Sequence, residues 1–161
     1  IEAAITEGAE LKVILLAKDD EFSSAEANIA LFKNELAEIA TERGISVSYA
    51  VINTVFSQDK TVHEQLMGNE LEEGSQLIAD ITYGPKDLPI IEFTALSFAE
   101  KFLGCEIENI LYGQSSFADG VAVNTKICDM APLFYLGSIT DTMHADTPDK
   151  ARRMLKSLLS L

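Results

Sequence analysis

The densest chemistry in this chain lies in ten consecutive residues, Asp80-Ile81-Thr82-Tyr83-Gly84-Pro85-Lys86-Asp87-Leu88-Pro89. A hydroxyl (Thr82), a glycine permitting close backbone approach (Gly84) and a cation (Lys86) sit together just before an expected helix start. Open N–H groups at a helix start suit a phosphate, and Lys86 adds charge complementarity. Tyr83 and Pro85 belong to the same candidate surface. The same residues would equally make a plain Gly–Pro turn carrying a solvated lysine.

Three other strand-end loops can contribute. The first runs Lys18-Asp19-Asp20-Glu21-Phe22-Ser23-Ser24. Lys18, Ser23 and Ser24 are its candidate binding residues, and Ser23 with Glu26 also fits a capping box. The second, after Ile52, offers Thr54. The fourth strand ends at Gly113-Gln114, followed by Ser115-Ser116. His63 and His144 have no triad partners nearby. Cys105 and Cys128 lack metal-ligand spacing, so neither a zinc site nor a catalytic residue is expected, and both thiols read as buried in a reducing compartment. Arg152, Arg153 and Lys156 suit the C-terminal end of a helix dipole and need no ligand.

These loops need a scaffold, and the chain supplies one by alternation. Leu11–Ala17 is an apolar run of strand length. Ala25, Ile29, Phe32, Leu36 and Ile39 form a helical stripe that ends at Gly44. Strands follow over 45–52, 76–82, 106–112 and 121–128. A short helix is expected over 61–71, and longer ones over 87–103 and 147–161, the last capped by Thr147. The 87–103 helix is apolar beyond one stripe, so it should be covered on two sides. Strands alternating with helices through short links predict an α/β fold with a mostly parallel, Rossmann-like sheet flanked by helices. Ligands of such sheets sit at the strand C-termini. No repeat or second domain is evident over 11–161.

Composition narrows the function. The 161 residues are 47% hydrophobic, and 12 Lys+Arg face 26 Asp+Glu for a formal net charge of −14. Duplex DNA binding through bulk electrostatics is excluded by that balance. No apolar run reaches the length of a membrane span, so no membrane contact by this chain is expected. The motifs of dinucleotide and NTPase sites are missing, and no cofactor is implied. A receiver domain needs a phosphoacceptor aspartate at a later strand tip. The second strand ends Ile52-Asn53-Thr54 without one.

The pattern Asp-x-Thr-x-Gly-x-Lys followed by x-Leu-Pro and an apolar helix resembles the second ligand-binding motif of CARF domains, the CRISPR-associated Rossmann-fold sensors. The strand ending Ile110-Leu111-Tyr112-Gly113 is similar to that family's next strand. The likeness covers 11–113 in element order and is specific over 80–113. It implies a homodimer holding a cyclic oligoadenylate, usually cyclic tetraadenylate, on its two-fold axis to control a fused effector in type III CRISPR antiviral defence. By position, Thr82, Gly84 and Lys86 would contact the ring's phosphates or sugars. The first loop departs from the family, because acids replace its small hydroxylated residues.

Residues 1–10 read as a lead-in or linker from a missing N-terminal segment, for which a membrane-spanning effector is attractive. The expected location is the cytoplasm, or the cytoplasmic side of an inner-membrane protein. Two alternatives stand beside the sensor. One is a ring nuclease that slowly cleaves the cyclic RNA. The other is a receiver-like or other nucleotide-binding α/β domain.

Overall fold

The computed structural model describes residues 9–18, 24–54, 60–119 and 121–160. Strand β1 (Glu10–Lys18) leads into helix α1 (Ala25–Arg43) and strand β2 (Ser46–Thr54). Helix α2 (Lys60–Gln65) passes into a π-helical turn over Leu66–Glu70. Strand β3 (Gln76–Asp80), helix α3 (Leu88–Phe102), strands β4 (Glu106–Ala118) and β5 (Val121–Asp129), and helices α4 (Ala131–Thr142) and α5 (Pro148–Leu158) complete the order. The fold is α/β. No helix among the described residues is long and apolar enough to cross a membrane.

Local signals account for most boundaries. Gly44 takes the left-handed conformation (φ 63°) that closes α1, which costs a glycine no Cβ clash. Prolines occupy the first turn of α3, α4 and α5, where their missing N–H is not needed. Thr147 caps α5 by accepting the Lys150 N–H at 3.3 Å. Strand β3 stops at Asp80, two residues short of expectation. There the Asp80 carboxylate accepts the Thr82 N–H at 2.9 Å and turns the chain. Ser24 occupies the cap position of α1 without a side-chain bond, and Ser23, the residue expected to form a capping box with Glu26, lies outside the described residues.

The strands form two sheets rather than one. Strands β1 and β2 are a parallel pair, while β3, β4 and β5 form a triple in that order. In the triple, β3–β4 is parallel and β4–β5 is an antiparallel hairpin. Helix α3 joins the two units. Its Ala95 and Ile91 pack with Ile52, Val62, Leu66, Ile14 and Leu16 on the first side. Its Leu96 and Phe93 pack with Ile107, Ile110 and Phe134 on the other. The broad apolar face of α3 is therefore spent on two adjoining cores within one chain. Only its Ile90 and Phe102 remain largely exposed. Lys12, the single charge in the Leu11–Ala17 run, reaches out to Glu72 at 2.9 Å and Glu70 at 3.3 Å. That pair ties β1 to the segment entering β3.

Two further departures concern the C-terminal third. Strand β4 continues six residues past the expected end at Tyr112, and α4 fills a stretch for which no element was expected. Asp129 makes that junction. Its carboxylate accepts the N–H groups of Ala131 (3.0 Å) and Ile110 (3.1 Å), which hold its pKa below the ordinary range.

Candidate functional site

The β3–α3 loop is organised by Thr82. Its N–H is bound to Asp80, and its hydroxyl oxygen accepts the Gly113 N–H at 2.7 Å. The Thr82 hydroxyl hydrogen stays available to a ligand. Gly84 has φ 123°, a conformation open to glycine alone at no strain. The loop then closes by a bond from Leu88 N–H to Pro85 C=O at 3.1 Å.

This geometry relocates the expected anion-binding groups. The helix start itself offers little: Leu88, Ile90 and Ile91 already donate to Pro85 or Asp87, and Pro89 has no N–H. The open donors lie one step earlier. Among the described residues, the amides of Tyr83, Gly84, Lys86 and Asp87 donate to no backbone carbonyl. Lys86 is exposed and makes no ion pair among the described residues. Four open amides, a hydroxyl and a lysine can together hold an anion. Asp87 is the one acid inside the set.

A cleft of about 320 Å³ links this loop to the first strand. Leu15, Leu16, Ala17 and Lys18 of β1 form one wall, and Ala25, Asn28, Ile29 and Phe32 of α1 form the other. Tyr83 also lines it and is 90% exposed. Lys18 and Tyr83 thus share one cavity, although 65 residues separate them in the chain. The walls are apolar, with the Asn28 amide as a polar group on α1. Such a cleft suits a flat, mostly apolar body with a polar edge.

The remaining candidates divide. Gly113 is at the site through its bond to Thr82, and an added Cβ would lie 2.9 Å from Thr82 Cγ2. Gln114 is exposed on β4 and pairs in register with Lys126 of β5. Thr54 is 5% exposed and its hydroxyl donates to Ala17 C=O at 3.1 Å, so it ties β2 to β1. Ser24 is exposed at the start of α1. Asp19, Asp20, Glu21 and Ser23 lie outside the described residues.

Two features escaped the sequence reading. Asn28, Ile29 and Phe32 line the cleft, and the signal for them was an asparagine placed one turn from Phe32 beside the apolar stripe of α1. Glu92 of α3 is mostly buried; burial and, second, the Asp80 charge push its carboxyl up to about 7. A charged residue inside the apolar sequence Leu88–Phe102 was the hint. Of the two thiols expected to be buried, Cys105 is, with its thiol donating to Glu72 C=O at 3.1 Å, whereas Cys128 is only partly buried. No cluster of three or more metal-ligating side chains occurs among the described residues.

No protein-family model matches this chain, and no curated protein matches it.

Proposed function

We propose that this chain is a CARF-like sensor domain that binds a cyclic oligoadenylate, with cyclic tetraadenylate favoured, at the two-fold axis of a homodimer. The observation that carries this reading is the β3–α3 loop. Thr82 is fixed from both sides, and the Tyr83, Gly84, Lys86 and Asp87 amides stay open beside the Lys86 ammonium. A phosphodiester needs donors and one cation in a small volume, and this loop supplies both. The open cleft that Tyr83 helps line adds a mostly apolar surface large enough for a purine. Two parallel β–α–β units, β1–α1–β2 and β3–α3–β4, support the Rossmann-like description.

The role is sensing rather than turnover. The ring's charge is met by donors that hold it; of the loop's acids, Asp80 is bound to the Thr82 N–H and Asp87 sits at the start of α3. Binding would couple two copies and pass a change in their geometry to an effector fused to the domain. The domain itself works in the cytoplasm.

One incubation tests the reading. The chain is mixed with cyclic tetraadenylate, and both complex formation and linear product are followed. A complex without product is the expected result. Product release shows the ring nuclease instead, and no complex overturns the assignment.

A further inference from the structure

Strand β4 outruns its neighbour. Its last partner on β3 is Leu111, opposite Asp80, and from Tyr112 to Ala118 it pairs only with β5. The result is a two-stranded ribbon projecting past the three-stranded sheet. Its side chains are mostly exposed on both strands. An isolated two-stranded ribbon is marginally stable in water, so a surface must complete it.

One face of the ribbon is unusually bare of charge. An extra residue, Asn124 (φ 52°), bulges β5, so Phe117, Ser115 and Gly113 of β4 share a face with Ala122, Thr125 and Ile127 of β5. Ser115 and Thr125 hydroxyls are bonded at 3.1 Å in its middle. Phe117 near the tip is 73% exposed and Ile127 near the root is 76% exposed. Across 112–128 the only charges are Asp119 and Lys126, which cancel, whereas the whole chain carries −14.

We propose that this ribbon face is where a second copy of the chain docks, with the two ribbons packed face to face about a two-fold axis. The inference rests on the homodimer part of the reading above and names its surface. Charge selects the occupant. Two copies of a chain this acidic repel each other wherever their acids meet, and the ribbon is a neutral exception. A basic partner or a nucleic acid would gain nothing from it. Symmetry fits as well. In a two-fold contact, residue i meets j and j meets i. A Phe117 at the tip then falls on the Ile127 at the partner copy's root, and the Ser115–Thr125 pairs lie at the axis. Seven residues of ribbon span roughly 20–24 Å. With the surfaces they cover, two ribbons bury on the order of 1,000 Å², near the lower end of stable interfaces. The ribbon's root is Gly113, which binds Thr82, so the contact brings the two site loops toward one axis.

The test is sedimentation of the intact chain at micromolar concentration without ligand. About twice the 17.6 kDa chain mass is expected for the wild type. Phe117→Glu and Ile127→Glu should each weaken the dimer by about 100-fold or more while circular dichroism stays unchanged, since neither side chain is in the core. A matched control, Phe102→Glu on the exposed end of α3, should leave the dimer intact. Mixing Phe117→Cys with Ile127→Cys chains, both carrying Cys128→Ser, should give an oxidant-dependent cross-link between the two chains. A monomeric wild type overturns the proposal, as does a dimer that both glutamate variants leave untouched or that only Phe102→Glu breaks. Co-sedimentation of a monomer with phosphatidylcholine vesicles would overturn it in favour of a lipid surface. Ring binding is measured separately. A dimer broken at the ribbon that never binds the ring keeps this inference and rejects the sensor, and a ring-binding dimer insensitive to the ribbon does the reverse.

Discussion

The Gly113 amide donates to the Thr82 hydroxyl oxygen at 2.7 Å, and this contact joins β4 to the loop that carries the site. It leaves no room for a side chain: a Cβ at Gly113 would sit 2.9 Å from Thr82 Cγ2 and 3.2 Å from its Oγ1. Thr82 cannot easily yield, because its χ1 is β-branched and its hydroxyl is bonded. Gly113→Ala should therefore cost about 1–3 kcal/mol in urea unfolding through overpacking. Thr82→Ser keeps the hydroxyl and removes Cγ2, so adding it to Gly113→Ala should restore most of the loss. Thr82→Val should fail to rescue, because it leaves the Gly113 N–H unpaired at about 1–3 kcal/mol. Equal stability of the two double variants would show that neither the Cγ2 clash nor the Gly113–Thr82 hydrogen bond matters to the loop.

Lys86→Ala addresses binding without the fold. The side chain is exposed and takes part in neither core. Its removal should leave the unfolding midpoint in place and weaken cyclic tetraadenylate binding by about 30-fold or more, the usual consequence of truncating one member of a desolvated charge contact. Calorimetry on the folded variant decides it. Wild-type affinity would take Lys86 out of the site.

What the sequence revealed follows from the range of each signal. Helix ends written in single residues, such as Gly44 and Thr147, were legible because their physics is local. The loop 80–89 was legible for the same reason, as glycine, proline and a hydroxyl act within a few residues. Its working groups were misplaced by one turn. The amides of Leu88, Ile90 and Ile91 are consumed inside the helix start, which depends on loop geometry that no spacing encodes. Helix α4 was missed because it carries no charge before Asp141 to mark a polar face. The apolar excess of α3 signalled cover on two sides, which the two cores supply, but not that a second sheet of the same chain forms one of them. Long-range contacts of that kind leave no local trace. The ribbon was invisible because 113–118 is polar enough to read as a loop, and only its antiparallel pairing with β5 makes it a strand.

Glu92 sets a pH dependence of stability. Burial, with the Asp80 charge second, raises its carboxyl to about 7 from an ordinary 4.5. Between those values the folded chain holds a proton that the unfolded chain releases, so this group lowers stability as pH rises through that window. Above it the loss is complete, on the order of 3 kcal/mol at one pKa unit per 1.4 kcal/mol. Glu92→Gln should flatten the stability profile between pH 5 and 8, a range set by those values, and should be more stable than wild type at the alkaline end. Urea midpoints across that range measure it, and parallel profiles for the two proteins would reject it. Asp129 acts with the opposite sign. Its depressed pKa contributes stability that is present above the ordinary carboxylate range and is lost as pH falls through the lower folded value. Asp129→Asn should therefore remove part of the acid limb and leave the neutral region's slope to Glu92.

Salt separates an enclosed site from an exposed one. Residues 1–80 carry 5 Lys+Arg and 16 Asp+Glu, while 81–161 carry 7 and 10. A ring with four phosphates approaching this chain meets repulsion from a distance and a few donors at the end. These two effects respond differently to ionic strength. Screening over a Debye length of ~8–10 Å near physiological salt relieves the distant repulsion. Contacts between the phosphates, Lys86 and the loop amides are screened far less once water is excluded from them. Affinity should thus fall only shallowly with salt, and the association rate should rise. A basic groove behaves in the opposite way, because each neutralised phosphate releases counterions and affinity drops steeply. Binding kinetics from about 50 to 500 mM salt resolve the two cases. A steep decline would place the ring on an open cationic surface and remove the enclosed two-fold pocket around Thr82, Gly84 and Lys86. A shallow decline with a rising association rate is the signature of a ring that crosses an acidic field to reach a small, protected set of donors.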